Sequence, residues 1–260
     1  MKCREIISRL EEMSPPEFAE QWDNSGLQVG DIDKQVHSVM VALDATYDVV
    51  EEAANRNVDM LITHHPLIFK PVSNIFYDDF IGKRIVSLIK NDIILYSMHT
   101  NFDVIGMADA AADMINLKNT EVLSVTYEDD ISKEGIGRYG TFENSMSLLN
   151  CAEFVKNRLR IENVTVFGDL NTKITTAAIS TGSCKSVLKD AVRVGVDLLI
   201  SADVDHHSGL DMLEHGICVI DAGHYNTEKL FINYIKDFFT QRMPYIDVIP
   251  LEVGAPYEIL

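Results

Sequence analysis

The sequence predicts an α/β protein with two similar halves and largely parallel sheets. Two observations predict it: apolar runs alternate with helix-period segments, and a repeat aligns the two halves. After an N-terminal helical pattern and the break at Pro15-Pro16, the runs that read as buried strands are 36 to 43, 58 to 63, 92 to 98, 174 to 180, 196 to 201 and 217 to 222. Helical segments fall at 46 to 57, 79 to 91, 106 to 117, 184 to 194, 206 to 215 and 226 to 240. Sliding the chain by 138 residues lays VVEEAANRNVDMLIT over VLKDAVRVGVDLLIS without a gap. Val49, Ala53, Val58, Asp59, Leu61 and Ile62 then fall on Val187, Ala191, Val196, Asp197, Leu199 and Ile200. Internal duplication is one reading of that match; a chance meeting of two apolar helix-strand units is the other.

Composition bounds the function classes. At 260 residues and 47% hydrophobic, the chain is long enough for one large or two modest cores. A net charge of −18 argues against nucleic acid, whose binding draws on Lys and Arg to neutralise phosphates. The N-terminus mixes Lys2, Arg4, Glu5, Glu11 and Glu12 into its apolar pattern, unlike a secretory leader. No run reaches the roughly 18 apolar residues of a membrane span. Cys3, Cys151, Cys184 and Cys218 show no CxxC spacing, and Cys218 reads as a small buried hydrophobe; the expected compartment is the reducing cytoplasm.

Of eight histidines, His64, His65, His99, His206, His207 and His224 follow predicted strands, while His37 and His215 do not. In parallel α/β sheets, ligands bind beside the strand C-terminal ends. In LITHHP two imidazoles end a strand that Pro66 cannot continue; taken alone, such a pair is usually surface decoration. In SMHTNFDVIG, His99 ends a strand and Asp103 leads into the next helix; alone, Asp103 reads better as a helix N-cap. In CVIDAGHYNTEKLF, the i, i+4 spacing puts His224 and Glu228 on one helical face. The helix dipole would explain the glutamate but not the histidine. His64, His65, Asp103, His224 and Glu228 thus offer borderline nitrogen and hard oxygen ligands together, a set that Zn, Mn, Fe, Co and Ni all accept. Five ligands exceed the need of one structural zinc, and a bridging carboxylate suits two divalent ions with open positions. TGSCKS, at 181 to 186, joins a strand to a helix, but Cys184 replaces the glycine that a P-loop needs. Cys184 also lacks an adjacent base to make it a nucleophile.

WDNSGLQVG at 22 to 30, ITHHP at 62 to 66, HTNFD at 99 to 103 and VIDAGHYNTE at 219 to 228 together resemble the Ngg-interacting-factor-like family, the GTP cyclohydrolase 1 type 2 homologues. The match runs nearly end to end. The resemblance implies a dinuclear metal centre: His64 and His65 on different ions, Asp103 and His224 each completing one, and Glu228 bridging. It further implies two interlinked α/β domains, a C-terminal segment that returns to the first, and a toroidal homohexamer. On that basis the expected domains are 1–125 plus 217–260, carrying all metal ligands, and 126–216. The family's inserted middle domain has no room in this chain. Where the family has a TG-acid motif in its second half, this chain reads SADVDHH, with Asp203 and His207 at the acid and histidine positions.

The expected chemistry is hydrolysis of a small molecule by metal-activated water, GTP ring opening if the family label holds, with His99, Asp203 and His207 as catalytic candidates and an imidazole moving the proton. The acidic balance and the absence of a phosphate loop weigh against a polyphosphate substrate. The rival expectation is a non-enzymatic metal-handling or regulatory scaffold that presents its surface to other proteins.

Overall fold

Glu5 starts the first helix: its Oε2 accepts the Lys2 amide at 2.8 Å, while Cys3, Ile6, Ile7 and Leu10 line the buried face of α1 (Cys3–Met13). The computed structural model describes residues 1–259. They fall into two units, the first made of residues 1–102 and 231–253, the second of residues from 103 to 230 with the segment from 254 onward.

Unit 1 is built on a five-stranded sheet in the order β1-β4-β3-β2-β11. Its strands are β1 (Gly26–Val29), β2 (Ser38–Ala42), β3 (Met60–Thr63), β4 (Ile94–Ser97) and, from the far end of the chain, β11 (Asp247–Pro250). β3 and β4 are buried throughout, as befits inner strands of a parallel sheet. β11 runs parallel to β2 and closes its outer side; only β1 is antiparallel, on β4. α2 (Tyr47–Asn55) is capped by Thr46, whose hydroxyl accepts the Val49 amide at 3.2 Å. It packs Val49, Val50 and Ala53 against Met40, Leu61 and Leu95, with Ile85 and Leu88 of α3 (Phe80–Lys90) beside them. The short helix α4 (Thr100–Phe102) follows β4.

Unit 2 holds α5 (Ala108–Met114) and a six-stranded sheet in the order β5-β6-β8-β9-β10-β7. The long hairpin of β5 (Lys118–Glu128) and β6 (Lys133–Ser147) leads into α6 (Leu148–Leu159), β7 (Thr165–Phe167) and β8 (Lys173–Ser183). Then come α7 (Leu188–Val194), β9 (Leu198–Ala202), α8 (His206–Glu214), β10 (Cys218–Asp221) and α9 (His224–Glu228). The two-residue alternation of strands sorts the core by face: Ala177, Ile179, Leu198 and Ile200 meet α6, whereas Ala178, Leu199 and Val219 meet α7 and α8. α10 (Leu230–Arg242) starts at the unit border, and its residues from Phe231 belong to unit 1.

The 138-residue repeat is visible inside each unit. In unit 1, Asp59 Oδ2 accepts the amides of His37 and Ser38 at 2.8 and 3.1 Å, and the Ser38 hydroxyl accepts the Asp59 amide. In unit 2, Asp197 Oδ2 accepts the amides of Thr175 and Thr176, both at 2.8 Å, and the Thr176 hydroxyl accepts the Asp197 amide. The strand registers agree as well, Val39 opposite Met60 and Ala177 opposite Leu198. A chance similarity of apolar patterns would not reproduce a polar clamp in register, so the duplication reading is the one the structure supports.

Several expectations need correction. All six strands read from the sequence exist, but only the first sheet is largely parallel. In the second, β5-β6, β6-β8 and β10-β7 are antiparallel, because a tight turn after Glu128 joins β5 to β6 without any crossover helix. The expected borders at 125 and 217 fall inside unit 2. β5 and β10 hydrogen-bond into the second sheet, so Asp103, His224 and Glu228 lie in unit 2 and only His64 and His65 in unit 1. The helix expected from 106 starts at Ala108, since Gly106 with φ +134° interrupts it.

Candidate metal centre

Unit 1 supplies three imidazoles. β3 ends at Thr63, and the chain turns there: the His65 amide donates to Leu43 O at 2.9 Å, and the Thr63 hydroxyl donates to His65 O at 2.9 Å. The turn brings the adjacent rings of His64 and His65 to 4.9 Å between centroids. His99, just beyond β4, lies 5.3 and 5.5 Å from them. The three offer ring nitrogens within 4.8 Å of one another, an arrangement able to hold a metal ion.

Each ring is oriented through Nδ1. His64 Nδ1 donates to the Met98 carbonyl at 2.8 Å, His65 Nδ1 to Asp44 Oδ1 at 2.9 Å and His99 Nδ1 to Asp23 Oδ1 at 2.8 Å. Because a carbonyl or carboxylate only accepts, Nδ1 carries a proton, and in the neutral ring that places the lone pair on Nε2, the tautomer that ligating histidines adopt.

Asp23, with no exposed side-chain surface, is the anchor of this half. Besides His99, it accepts the Asn24 amide, the Ser25 hydroxyl, and both the amide and the hydroxyl of Thr100. Burial alone would raise its pKa. The hydrogen bonds from His99, Ser25 and Thr100 outweigh it and hold the carboxyl well below the usual carboxylate range. A depressed carboxylate stabilises the fold fully above its unfolded pKa of about 3.9 and loses that contribution as pH falls through the folded value. Acid titration of the urea midpoint should therefore show a fall below about pH 4 that is shallower in Asp23→Asn. Equal acid sensitivity in both proteins would refute the assignment.

Unit 2 supplies two carboxylates and one imidazole. His224 and Glu228 share a face of α9, with His224 Nε2 3.1 Å from Glu228 Oε2, as their spacing predicts. Glu228 is only 4% exposed. The hydrogen bond to Glu228 outweighs the opposing effect of burial, and with the charges of Glu228 and Asp203 it pushes His224 up to about 9. Nδ1 of His224 donates to Asp203 Oδ2 at 2.8 Å. Asp203 reaches it by adopting φ +54° just after β9, a left-handed strain common at functional turns. Asp103 offers a carboxylate oxygen within 4.8 Å of one from Glu228. Met107, not Asp103, occupies the cap of α5, so the N-cap reading fails.

Gly182, at φ +64°, gives the carboxylate its room. A Cβ there would collide with Glu228 Oε1 and lie 3.5 Å from His224 Nε2. Its amide donates to the Thr227 hydroxyl at 3.1 Å, which ties α9 to β8. TGSCKS thus serves neither as a phosphate loop nor as a nucleophile turn. Cys184 is buried, and burial pushes its thiol up to about 11, far from a reactive thiolate.

The sequence-derived residues therefore fall into two sets, His64, His65 and His99 in unit 1, and Asp103, His224, Glu228 and Asp203 in unit 2. His207 stands apart in the exposed first turn of α8, its ring edge-on to His206 at 5.3 Å. Sequence reasoning gave no role to Asp23, Asp44, Gly182 or Thr227. The signal available for Asp44 was its place just after the strand read at 36 to 43, the counterpart of the histidine position after 58 to 63.

The model of the Duf34/NIF3 (NGG1p interacting factor 3) family matches residues 1–254. A Clostridium perfringens protein named GTP cyclohydrolase 1 type 2 homolog is 37% identical, with both chains covered in full. Among solved structures, the Bacillus cereus protein related to NIF3 superimposes with a TM-score of 0.93 at 24% identity, covering 100% of this chain and 99% of its own, a likeness of fold. Reduced HcgD from Methanocaldococcus jannaschii gives 0.83 at 34% identity, covering 96% and 97%. The matched length, the relatives and the strand-end histidine motifs agree, and the chain belongs to the Duf34/NIF3 family.

Proposed function

We propose that His64, His65, Asp103, His224 and Glu228 hold two divalent metal ions, and that the protein is a metal-dependent hydrolase of a small molecule. The observation that carries this is the orientation of the imidazoles. His64 and His65 each commit Nδ1 to an oxygen acceptor, and His224 gives Nδ1 to Asp203 while its Nε2 meets Glu228, so Nε2 is the ring atom each would turn to a metal. The mixed nitrogen and carboxylate set fits Zn, Mn, Fe, Co or Ni. When bound, such ions lower the pKa of water and draw off negative charge as it develops.

The chain's own residues do the rest. Asp44 and Asp203 fix the rings of His65 and His224, so Asp203 is a positioning residue rather than a proton carrier. His99, held by Asp23, presents Nε2 beside His64 and His65 and is the residue that moves the proton. His207 keeps no part in this reading. Ring opening of a nucleotide, as the relatives' name has it, is one hydrolysis of this class. Assembly into a toroidal hexamer belongs to the same proposal, and no helix among the described residues is long and apolar enough to cross a membrane.

The test is elemental analysis of the purified protein beside His65→Ala and Glu228→Ala variants whose folding is checked by circular dichroism. Two ions per chain in the wild type and a sharp fall in both folded variants are expected. Unchanged metal in the variants, or none in a wild type reloaded with Zn or Mn, would overturn the reading. Metal without turnover across a hydrolase screen would favour the metal-handling scaffold.

A further inference from the structure

Trp22 is the sole tryptophan of the chain, and it is 57% exposed; Phe69 is 46% exposed. Their ring centroids lie 5.7 Å apart, tilted by 51°, so neither ring covers the other. Both rings border His99, at 5.9 Å from Trp22 and 6.3 Å from Phe69, each close to edge-on. Scattered apolar residues on a surface are ordinary. Two adjacent aromatic rings, both open and both touching a histidine of a metal-type group, are not.

Polar bonds hold the chain on either side of these rings. On one side of Trp22, Asp23 is bound to Ser25, His99 and Thr100, and the Glu20 amide donates to the Thr100 hydroxyl at 2.9 Å. On the other, Asn24 Nδ2 donates to Ile68 O at 2.6 Å, and the Ile68 amide donates to Gln28 Oε1 at 3.1 Å. The loop that carries Trp22 is thereby bolted both to the start of α4 and to the residue before Phe69. A ring carried on a backbone held in this way has only its own side chain to order on gaining a partner, which lowers the cost of recognition.

We propose that Trp22 and Phe69 form a stacking platform for a planar heteroaromatic ring of the substrate, placed so that the atom attacked lies at the histidine group. The proposal rests on the metal-dependent reading above and adds its recognition element. The partner is a ring because both side chains are aromatic and about half exposed, and aromatic rings pair at centroid distances of about 4.5–7 Å. It is part of a small ligand and not a second copy of the chain, because both rings border His99, a member of the imidazole group.

The unique tryptophan makes the test direct. The full chain, with and without loaded Zn or Mn, is titrated with guanosine, adenosine, uridine, nicotinamide and pterin, with ribose as the ring-free control. Saturable quenching of Trp22 emission by at least one ring compound is expected, at an affinity about tenfold or more above that of ribose, the size of one stacking contact. Calorimetry on Phe69→Leu and Trp22→Leu should show that advantage lost, with Trp22→Phe retaining most of it. Failure of every ring compound to outdo ribose would overturn the platform, as would wild-type affinity in both leucine variants. Trp22 closed to acrylamide in the ligand-free protein would also overturn it, since another copy of the chain would then cover the ring. Metal content of the same variants separates the two proposals. Metal retained with ring binding lost supports the platform, whereas ring binding in a chain that takes up no metal overturns only the metal reading.

Discussion

Gly182→Ala should fold and should lose its metal. At φ +64°, an alanine carries the left-handed penalty of about 1–2 kcal/mol, a loss a domain of this size survives. The added methyl meets the far end of Glu228, a side chain that gives way without breaking the fold. Where Glu228 goes decides the result. It is buried and in contact with His224, so displacing it separates the carboxylate from the imidazole with which it would share an ion. Gly195→Ala is the matched control: its φ of +73° imposes the same backbone strain, and nothing lies within 4 Å of the added Cβ. Urea denaturation should place the two variants close together, and elemental analysis should set them apart, with metal kept by Gly195→Ala alone. A Gly182→Ala protein with full metal content would mean that Glu228 is not a ligand.

Asp44→Asn and Asp203→Asn should each weaken metal binding by roughly 10–100-fold, the usual effect of removing the carboxylate behind a ligating histidine. Asparagine still offers a carbonyl oxygen to Nδ1–H, so the rings of His65 and His224 keep their orientation and lose only the negative charge that makes them better donors. Asp44→Ala and Asp203→Ala, which release the ring as well, should weaken it further. Competition against a chromophoric chelator measures both steps. Asparagine variants that bind metal like the wild type would make these carboxylates surface acids that happen to lie near an imidazole.

The parts of this fold that were legible in the sequence are the parts buried on both sides. β3, β4 and β9 are buried at every position and mostly apolar, and a run of four or five such residues is too short for a buried helix and fits a strand. β5 escaped notice because most of its side chains are exposed, so no apolar pattern marks it. β1, β7 and β11 are three or four residues long and partly open. The site divides in the same way. Histidines are scarce, and their gathering after strands is a signal in itself. Acids are abundant, and nothing in a list of 40 says that Asp44 faces His65, or that Asp23 is buried under His99 while Asp33 pairs with lysine and arginine at the surface. Gly182 was invisible for another reason: what it contributes is the absence of a side chain.

The position of β11 beside β2 has a consequence for how the protein is made. On the ribosome, residues 103–230 emerge as one unbroken stretch and contain every strand of their own sheet. The sheet begun earlier, by residues 26–97, cannot be finished until residues 247–250 appear. The sheet of unit 2 is therefore complete before that of unit 1, in reverse of the order in which synthesis starts them. Throughout that interval Val39, Met40 and Val41 present an open strand edge, a template for pairing with any neighbouring nascent chain. A chain cut short before Asp247 keeps that edge for its whole lifetime, and light scattering of such a truncation should show aggregation.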